Sequence, residues 1–311
     1  MSTSPLVFAP TISQIEFQCI QRRMSLDFFK WDSQLGDTAT LFPQPLLIGS
    51  ETWNYLKQTA QDLAAELKEA QNELVHHPEL LTLLGVPNAV RAEFERQNYA
   101  SANAPTVRVL RFDFHHTTKG WRISEVNSDV PRGYTEASRF TEMMGQCFQN
   151  VRTAGDPGRE FAEAVLANVG EKARVALLSA PGFLEDQQVT VFLATELQLR
   201  KIKTLLLHDS SQLRWKDGVA FTVGNGKEIE LDAIVRFYQG EWLAKLSDRC
   251  RWKSLFFGAR TLVANPAIAV LSESKRFPLT WPTLSTKMST WKSVMPECRD
   301  PLEGYWNTCD E

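Results

Sequence analysis

Apolar positions recur at helical spacing from Ser50 to about Gln97, where Leu56, Ala60, Leu63, Leu67 and Leu74 stand three, four or seven residues apart. Ser50 occupies the place of an N-cap and Gly85-Val86-Pro87 interrupts the run, so the stretch reads as helical. The period then shortens to two. Between about 106 and 128, Arg111-Phe112-Asp113-Phe114 alternates polar and apolar residues, and Ile123-Ser124-Glu125-Val126-Asn127 follows after the polar, glycine-ended stretch His116-Thr117-Thr118-Lys119-Gly120. That pattern predicts a β-hairpin. Tyr134 to Phe148 reads as a helix opening after Pro131-Arg132-Gly133.

From about 172 to 245 the chain changes character. Val175-Ala176-Leu177-Leu178, Thr204-Leu205-Leu206-Leu207 and Ile234-Val235-Arg236-Phe237 read as strands. Gln187 to Arg200 reads as a helix with Val191, Phe192, Ala194 and Leu197 inward. Val219–Val223 and Glu228-Ile229-Glu230-Leu231 flank the turn signal Asn225-Gly226. Strand–helix–strand with short connections predicts a parallel α/β unit. Its first strand ends in Ser179-Ala180-Pro181-Gly182, without GxGxxG or a P-loop lysine, which argues against a dinucleotide site there.

The hairpin carries the candidate chemistry. Successive side chains of a strand point to opposite faces, so Arg111 and Asp113 share one face and Glu125 and Asn127 share another. If Asp113 lies opposite Glu125, Arg111 lies opposite Asn127 and all four point the same way. Two carboxylates and an amide carbonyl are hard oxygen ligands of the kind Mg²⁺ takes, with phosphates and water completing its shell. The same residues also read as a solvated face. Three features favour the metal. Trp121 and Ile123 are expected on the face of Glu125, and Phe112 and Phe114 fill the other face, so the hairpin is expected to be covered on both sides. Carboxylates directly opposite each other repel unless a cation lies between them.

Composition narrows the partners. The 311 residues include 34 basic and 37 acidic ones, and a net charge of −3 gives no argument for nucleic acid or a membrane surface. No apolar run approaches the ~20 residues of a membrane span. Met1-Ser2-Thr3-Ser4-Pro5-Leu6 has none of the regions of a signal peptide. Cys19, Cys147, Cys250, Cys298 and Cys309 are scattered and read as reduced thiols of a cytoplasmic protein. The histidines lack zinc-ligand spacing, and no GxSxG elbow is present. The tryptophans from Trp242 to Trp306 read as core or interface. Arg236 and Glu241 flank a strand end, where α/β sheets bind ligands; they read as substrate contacts or as structural ion-pairing groups.

Arg111-Phe112-Asp113-Phe114, with Glu125-Val126-Asn127-Ser128-Asp129-Val130-Pro131 and Glu136-Ala137, resembles the Arg-x-Asp strand and Glu-x-Asn-x-Asp-x-Pro segment of the circularly permuted ATP-grasp ligases. The glutathionylspermidine synthetases are the best-known members. The likeness extends over the middle α/β unit, Arg236…Glu241-Trp242-Leu243, and Asn265-Pro266 followed by Glu273-Ser274-Lys275. It implies that Asp113, Glu125 and Asn127 bind Mg²⁺, that Arg111 reaches the reacting phosphate, and that Lys275 contacts ATP. The implied activity is an ATP-dependent carboxylate–amine or carboxylate–thiol ligase working through an acyl phosphate on small-molecule substrates. Where the synthetases tend to carry Ser or Thr that help hold glutathione, this chain has Pro131-Arg132-Gly133-Tyr134. Glutathione and spermidine are therefore not the expected substrates, and Arg132 is expected to meet an anionic one.

The implied fold is α/β with α+β elements: an incomplete ATP-grasp fold with an inserted parallel, pre-ATP-grasp-like domain. The expected parts are a helical region at 1–105, the hairpin and a helix at 106–165, an α/β substrate-side domain at 166–250 and the start of an ATP-binding subdomain at 251–311. The family continues with a Lys-Pro strand and a Gly-rich phosphate loop, and this sequence stops at Thr308-Cys309-Asp310-Glu311. The expectation is a ligase that needs a further C-terminal segment. The alternative is a non-catalytic remnant or binding subunit completed by a second polypeptide. On either reading Pro296 to Glu311 should pack poorly and Trp306 should be exposed.

Overall fold

A computed structural model describes residues 5–32, 34–96 and 106–300. The chain opens with β1 (Leu6–Phe8), α1 (Gln14–Asp27), the short β2 (Gln34–Leu35) and β3 (Thr38–Ala39), and β4 (Leu46–Ile48). Then come the helices α2 (Ser50–Leu74), α3 (Pro78–Leu83) and α4 (Asn88–Arg96). The hairpin strands are β5 (Arg111–Thr117) and β6 (Gly120–Asn127), followed by a π-helical turn (Glu136–Phe140), α5 (Thr141–Gln146) and α6 (Pro157–Val169). The α/β unit comprises β7 (Arg174–Ser179), α7 (Leu184–Gln198), β8 (Lys203–Leu207), β9 (Arg214–Lys216), β10 (Val219–Gly224), β11 (Lys227–Glu230) and β12 (Ala233–Phe237). After it lie α8 (Gly240–Leu243), β13 (Leu262–Ala264), α9 (Val270–Glu273), α10 (Phe277–Thr280) and α11 (Ser289–Val294).

The predicted parallel unit is present. Its four strands run in the order β13-β12-β7-β8, with every neighbouring pair parallel. From β7 the chain crosses through α7 to β8 on one side, then returns to β12 on the other side of β7. A crevice opens at such a reversal, beyond the carboxyl ends of the strands. Alternation along the strands feeds two cores. Ala176, Leu178, Ile234 and Val263 face the α2 and hairpin side, while Val175, Leu177, Val235 and Ala264 face α6 and α7. Apolar residues on both faces explain why these strands read as unbroken apolar runs.

Several expectations are corrected. Gly49, not Ser50, is the N-cap of α2, with Ser50 the first helical residue. The segment expected as a helix from Tyr134 is helical from that residue, with a π-helical stretch at Glu136–Phe140 before α5. On α7, Val189 and Leu193 are buried where Val191 was expected inward. The boundaries at 105, 165 and 250 do not separate cores. β13 completes the sheet from beyond residue 250, and Leu63, Leu67 and Leu74 of α2 share one cluster with Ile123, Val126, Trp291 and Val294. Burying the apolar side of a hairpin requires partners from elsewhere in the chain, and here α2 and the 277–294 segment supply them. Cys19, Cys147, Cys250 and Cys298 are free thiols. Cys309, Trp306 and most of the segment from Pro296 onward lie outside the described residues. Among the described residues no helix is long and apolar enough to cross a membrane.

Two carboxylates of α2 fix the 285–294 segment against the hairpin. Glu66 accepts from the amides of Thr290 (2.8 Å) and Trp291 (3.2 Å), and Trp291 Nε1 donates to Leu63 O (3.0 Å). The Trp291 ring then packs on Phe112 of β5, with ring centroids 6.0 Å apart. Glu73 accepts from the amides of Ser285 and Thr286 and from the Thr286 hydroxyl. Burial pushes Glu73 up, and these donors outweigh it, taking the carboxyl from its ordinary 4.5 down to about 2. A lowered folded value means stability present in full above about pH 4.5 and lost as pH falls toward 2. Glu73→Ala should therefore cost about 2 kcal/mol at pH 7. In urea denaturation that gap should close as pH falls from 4.5 to 2. A gap independent of pH would show that the charge contributes nothing.

Candidate metal and substrate site

The hairpin register pairs Arg111 with Asn127 and Asp113 with Glu125, so the four residues share one face. The pairing then slips. Phe114 lies opposite Ile123 and His116 opposite Trp121, leaving Ser124 as the extra residue of a β-bulge. The bulge turns Ile123 to the face of Phe112, Phe114 and Val126, where it is 0% exposed. The expectation that Trp121 and Ile123 share the face of Glu125 is thus overturned. With regular pairing Ile123 would stand beside Glu125, away from the core; the core claims it and the strand bulges to deliver it. The carboxylate face is polar instead, carrying His115, whose ring meets Ser124 Oγ at 2.9 Å. The turn is also tighter than expected, since the strands leave only Thr118 and Lys119 between them.

Each carboxylate on this face has a cation. Arg111 grips Asp113 with two bonds, Nε–Oδ1 at 2.9 Å and Nη2–Oδ2 at 3.2 Å. Asn127 Nδ2 reaches Asp113 Oδ2 at 3.4 Å. The Lys275 ammonium pairs with Glu125. The Arg111 side chain is 44% exposed and that of Lys275 72%, and exposed pairs of this kind are worth about 1 kcal/mol or less. Five of the residues singled out in the sequence therefore meet on one hairpin face. Two carboxylates and an amide oxygen fit a hard divalent cation, and the weak pairs can yield to it. Among the described residues no group of three or more His, Cys, Asp and Glu side chains is placed to hold a metal; the candidate set here depends on the Asn127 amide.

Behind this face lies a buried junction. Asp129 follows Asn127 by two residues and receives the Arg236 guanidinium on one oxygen and Gly240 N on the other, the latter at 2.7 Å. Arg236 is 1% exposed and also donates from Nε to Asn265 O (3.0 Å) and from Nη1 to Tyr238 O. Arg236 is a structural ion-pair partner, and it does not line the neighbouring cavity. The Asn265 side chain holds Val109 N at 2.7 Å and donates to Val109 O at 2.8 Å and Ser128 O at 3.0 Å. Glu273 accepts from Ser128 N at 2.6 Å and Asp129 N at 3.0 Å. Burial pushes Glu273 up, and those amides oppose the shift. Arg108 gives Nη1 to the Gln71 side chain, and burial lowers its guanidinium to about 10 against the pull of Asp129.

A cavity of about 270 Å³ lies beside this junction, just beyond the end of β12, where Gln239 lines it. Arg111 and Asn127 form one wall, Gln239 and Glu241 another, and Asp129, Glu273 and Arg132 also line it. Arg132 was expected to meet an anion. Its guanidinium is already committed to Glu185 (2.6 Å) and Asp186 (2.7 Å), on the first turn of α7. Burial pushes Asp186 up while Arg132 pulls it down. The cavity thus joins the metal-type face to the first turn of α8, which carries Glu241.

Compared with protein-family models and with curated proteins, the chain matches none. Asp129, Asn265 and Glu273 were not singled out as site residues from the sequence. Alternation through 125, 127 and 129 was a usable signal for Asp129. Asn265 and Glu273 fall in segments covered by the resemblance without a role of their own, and nothing local marked Arg108. Asp129→Ala should cost about 3–5 kcal/mol in chemical denaturation, because it strands a buried guanidinium. A loss below about 1 kcal/mol would show that Arg236 finds another acceptor.

Proposed function

We propose that this chain carries the metal-binding and substrate-side face of an ATP-dependent carboxylate–amine ligase of the circularly permuted ATP-grasp type, acting through an acyl phosphate. One observation carries the reading: the hairpin register that sets Arg111, Asp113, Glu125 and Asn127 together, with Arg111 and Asn127 lining a polar cavity. Asp113, Glu125 and Asn127 would hold Mg²⁺, which supplies charge neutralisation at phosphate oxygens when bound. Arg111 would meet the charge of the transferred phosphoryl group, for which a planar guanidinium is suited. Lys275 would serve the nucleotide. Glu241 and Gln239 would position a small substrate at the other end of the cavity, with Arg132 fixed by its own acidic partners.

The chemistry asked of such a site is mostly positioning and electrostatics. The competing reading is a binding subunit without turnover, completed by a second polypeptide. It is favoured by the ion pairs that already neutralise Asp113 and Glu125. Calorimetric titration with ATP and Mg²⁺ separates the two. The parent should bind ATP in a Mg²⁺-dependent way. Asp113→Asn and Glu125→Gln should each weaken that binding at least about tenfold with the melting temperature preserved. Unchanged affinity in both variants would leave these carboxylates a role only in the hairpin's own ion pairs.

A further inference from the structure

The two cations on the hairpin face are not equivalent. Arg111 sits on the same strand as Asp113, two residues away, so strand geometry fixes their pairing. Lys275 comes from the segment after α9, more than a hundred residues from Glu125, and reaches it only with the end of a long side chain. Its backbone is pinned on both sides. Glu273 accepts the Ser128 and Asp129 amides, Ser274 Oγ donates to Leu84 O at 2.6 Å, and Phe277 N bonds Ser274 O at 2.9 Å. Between these anchors the Lys275 side chain is 72% exposed. A fixed pivot with a free four-carbon arm lets the ammonium exchange partners without moving the chain.

We propose that Lys275 is the built-in counter-cation of the hairpin face: it holds Glu125 while no metal is there, and it swings to an anionic phosphate when a divalent cation takes its place. This rests on the ligase reading given above. The physical ground is the register of Asp113 and Glu125, whose opposed carboxylates need positive charge between or beside them in every state. Without metal, Arg111 and Lys275 supply it one to one. A dication supplies it to both, and an ammonium left beside the dication would be repelled at a distance where the interaction is appreciable even in water. Lys275 therefore has opposite effects on two ligands. It competes with a bare cation for Glu125, and it assists a cation that arrives with a triphosphate.

The test is Lys275→Met, with Lys275→Arg as the charge-preserving control. Two probes are used: Mn²⁺ alone, followed by loss of the free-ion electron paramagnetic resonance signal, and ATP with excess Mg²⁺, followed by calorimetry. Lys275→Met should bind Mn²⁺ alone about three- to tenfold tighter than the parent, and Mg²⁺–ATP weaker by a similar factor. Lys275→Arg should follow the parent with Mn²⁺ alone. If Lys275→Met shifts both ligands in the same direction, or neither, the counter-cation role is overturned. The ligase reading then still stands wherever the parent's Mg²⁺–ATP binding depends on Asp113 and Glu125. If that binding is insensitive to Asp113→Asn and Glu125→Gln, the ligase reading falls and takes this inference with it.

Discussion

The ion pair between Asp129 and Arg236 sits where four stretches of chain converge, and the candidate site depends on it. A guanidinium withdrawn from water is costly unless its donors are all met. Arg236 gives each of its three nitrogens an acceptor, one carboxylate and two backbone carbonyls. In doing so it ties the exit of the hairpin to the start of α8, where Gln239 and Glu241 stand. Asn265 and Glu273 then hold the same short backbone of Ser128 and Asp129 from two further directions. A residue two positions beyond Asn127 is thus fixed by groups from β12, from the end of β13 and from α9.

Charge is handled differently on the two sides of this junction. Inside, Arg236 is sealed from water and Asp129 is buried beside it at the cavity wall, so the pair is held firmly and removal of either partner is expensive. Outside, Asp113 and Glu125 face solvent with exposed partners, where ion pairs contribute little and exchange readily. A rigid buried pair beneath an exchangeable exposed set suits a site that must keep its geometry while its occupants change. The same contrast separates Arg236 from Arg132: the first is enclosed by backbone, while the second stands at the cavity wall, held by two acidic side chains.

The bulge at Ser124 shows how the core bears on this arrangement. Ile123 and Val126 are both buried with Phe112 and Phe114, although regular alternation would send positions 123 and 126 to opposite faces. One extra residue resolves the conflict. It sends Ile123 inward and leaves Glu125 opposite Asp113. Trp291, fastened to α2 through Leu63 and Glu66, completes the apolar floor. The face that carries the chemistry is polar because the apolar demand of the hairpin is met on its other side.

The sequence by itself determined the hairpin, the long helix and the strands of the parallel unit. Apolar runs bounded by turn residues marked β7, β8 and β12, and helical spacing marked α2. Period-two alternation placed Arg111, Asp113, Glu125 and Asn127 on one face, because side-chain direction in a strand is a local property. Only the tertiary structure decided the rest. Arg236 became an ion-pair partner instead of a cavity residue, Arg132 was claimed by Glu185 and Asp186, Lys275 was brought to Glu125, and β13 joined the sheet from beyond the expected boundary. Each outcome depends on which distant group arrives to satisfy a charge or cover an apolar surface. Contacts between residues distant in sequence leave no periodic trace in a single sequence.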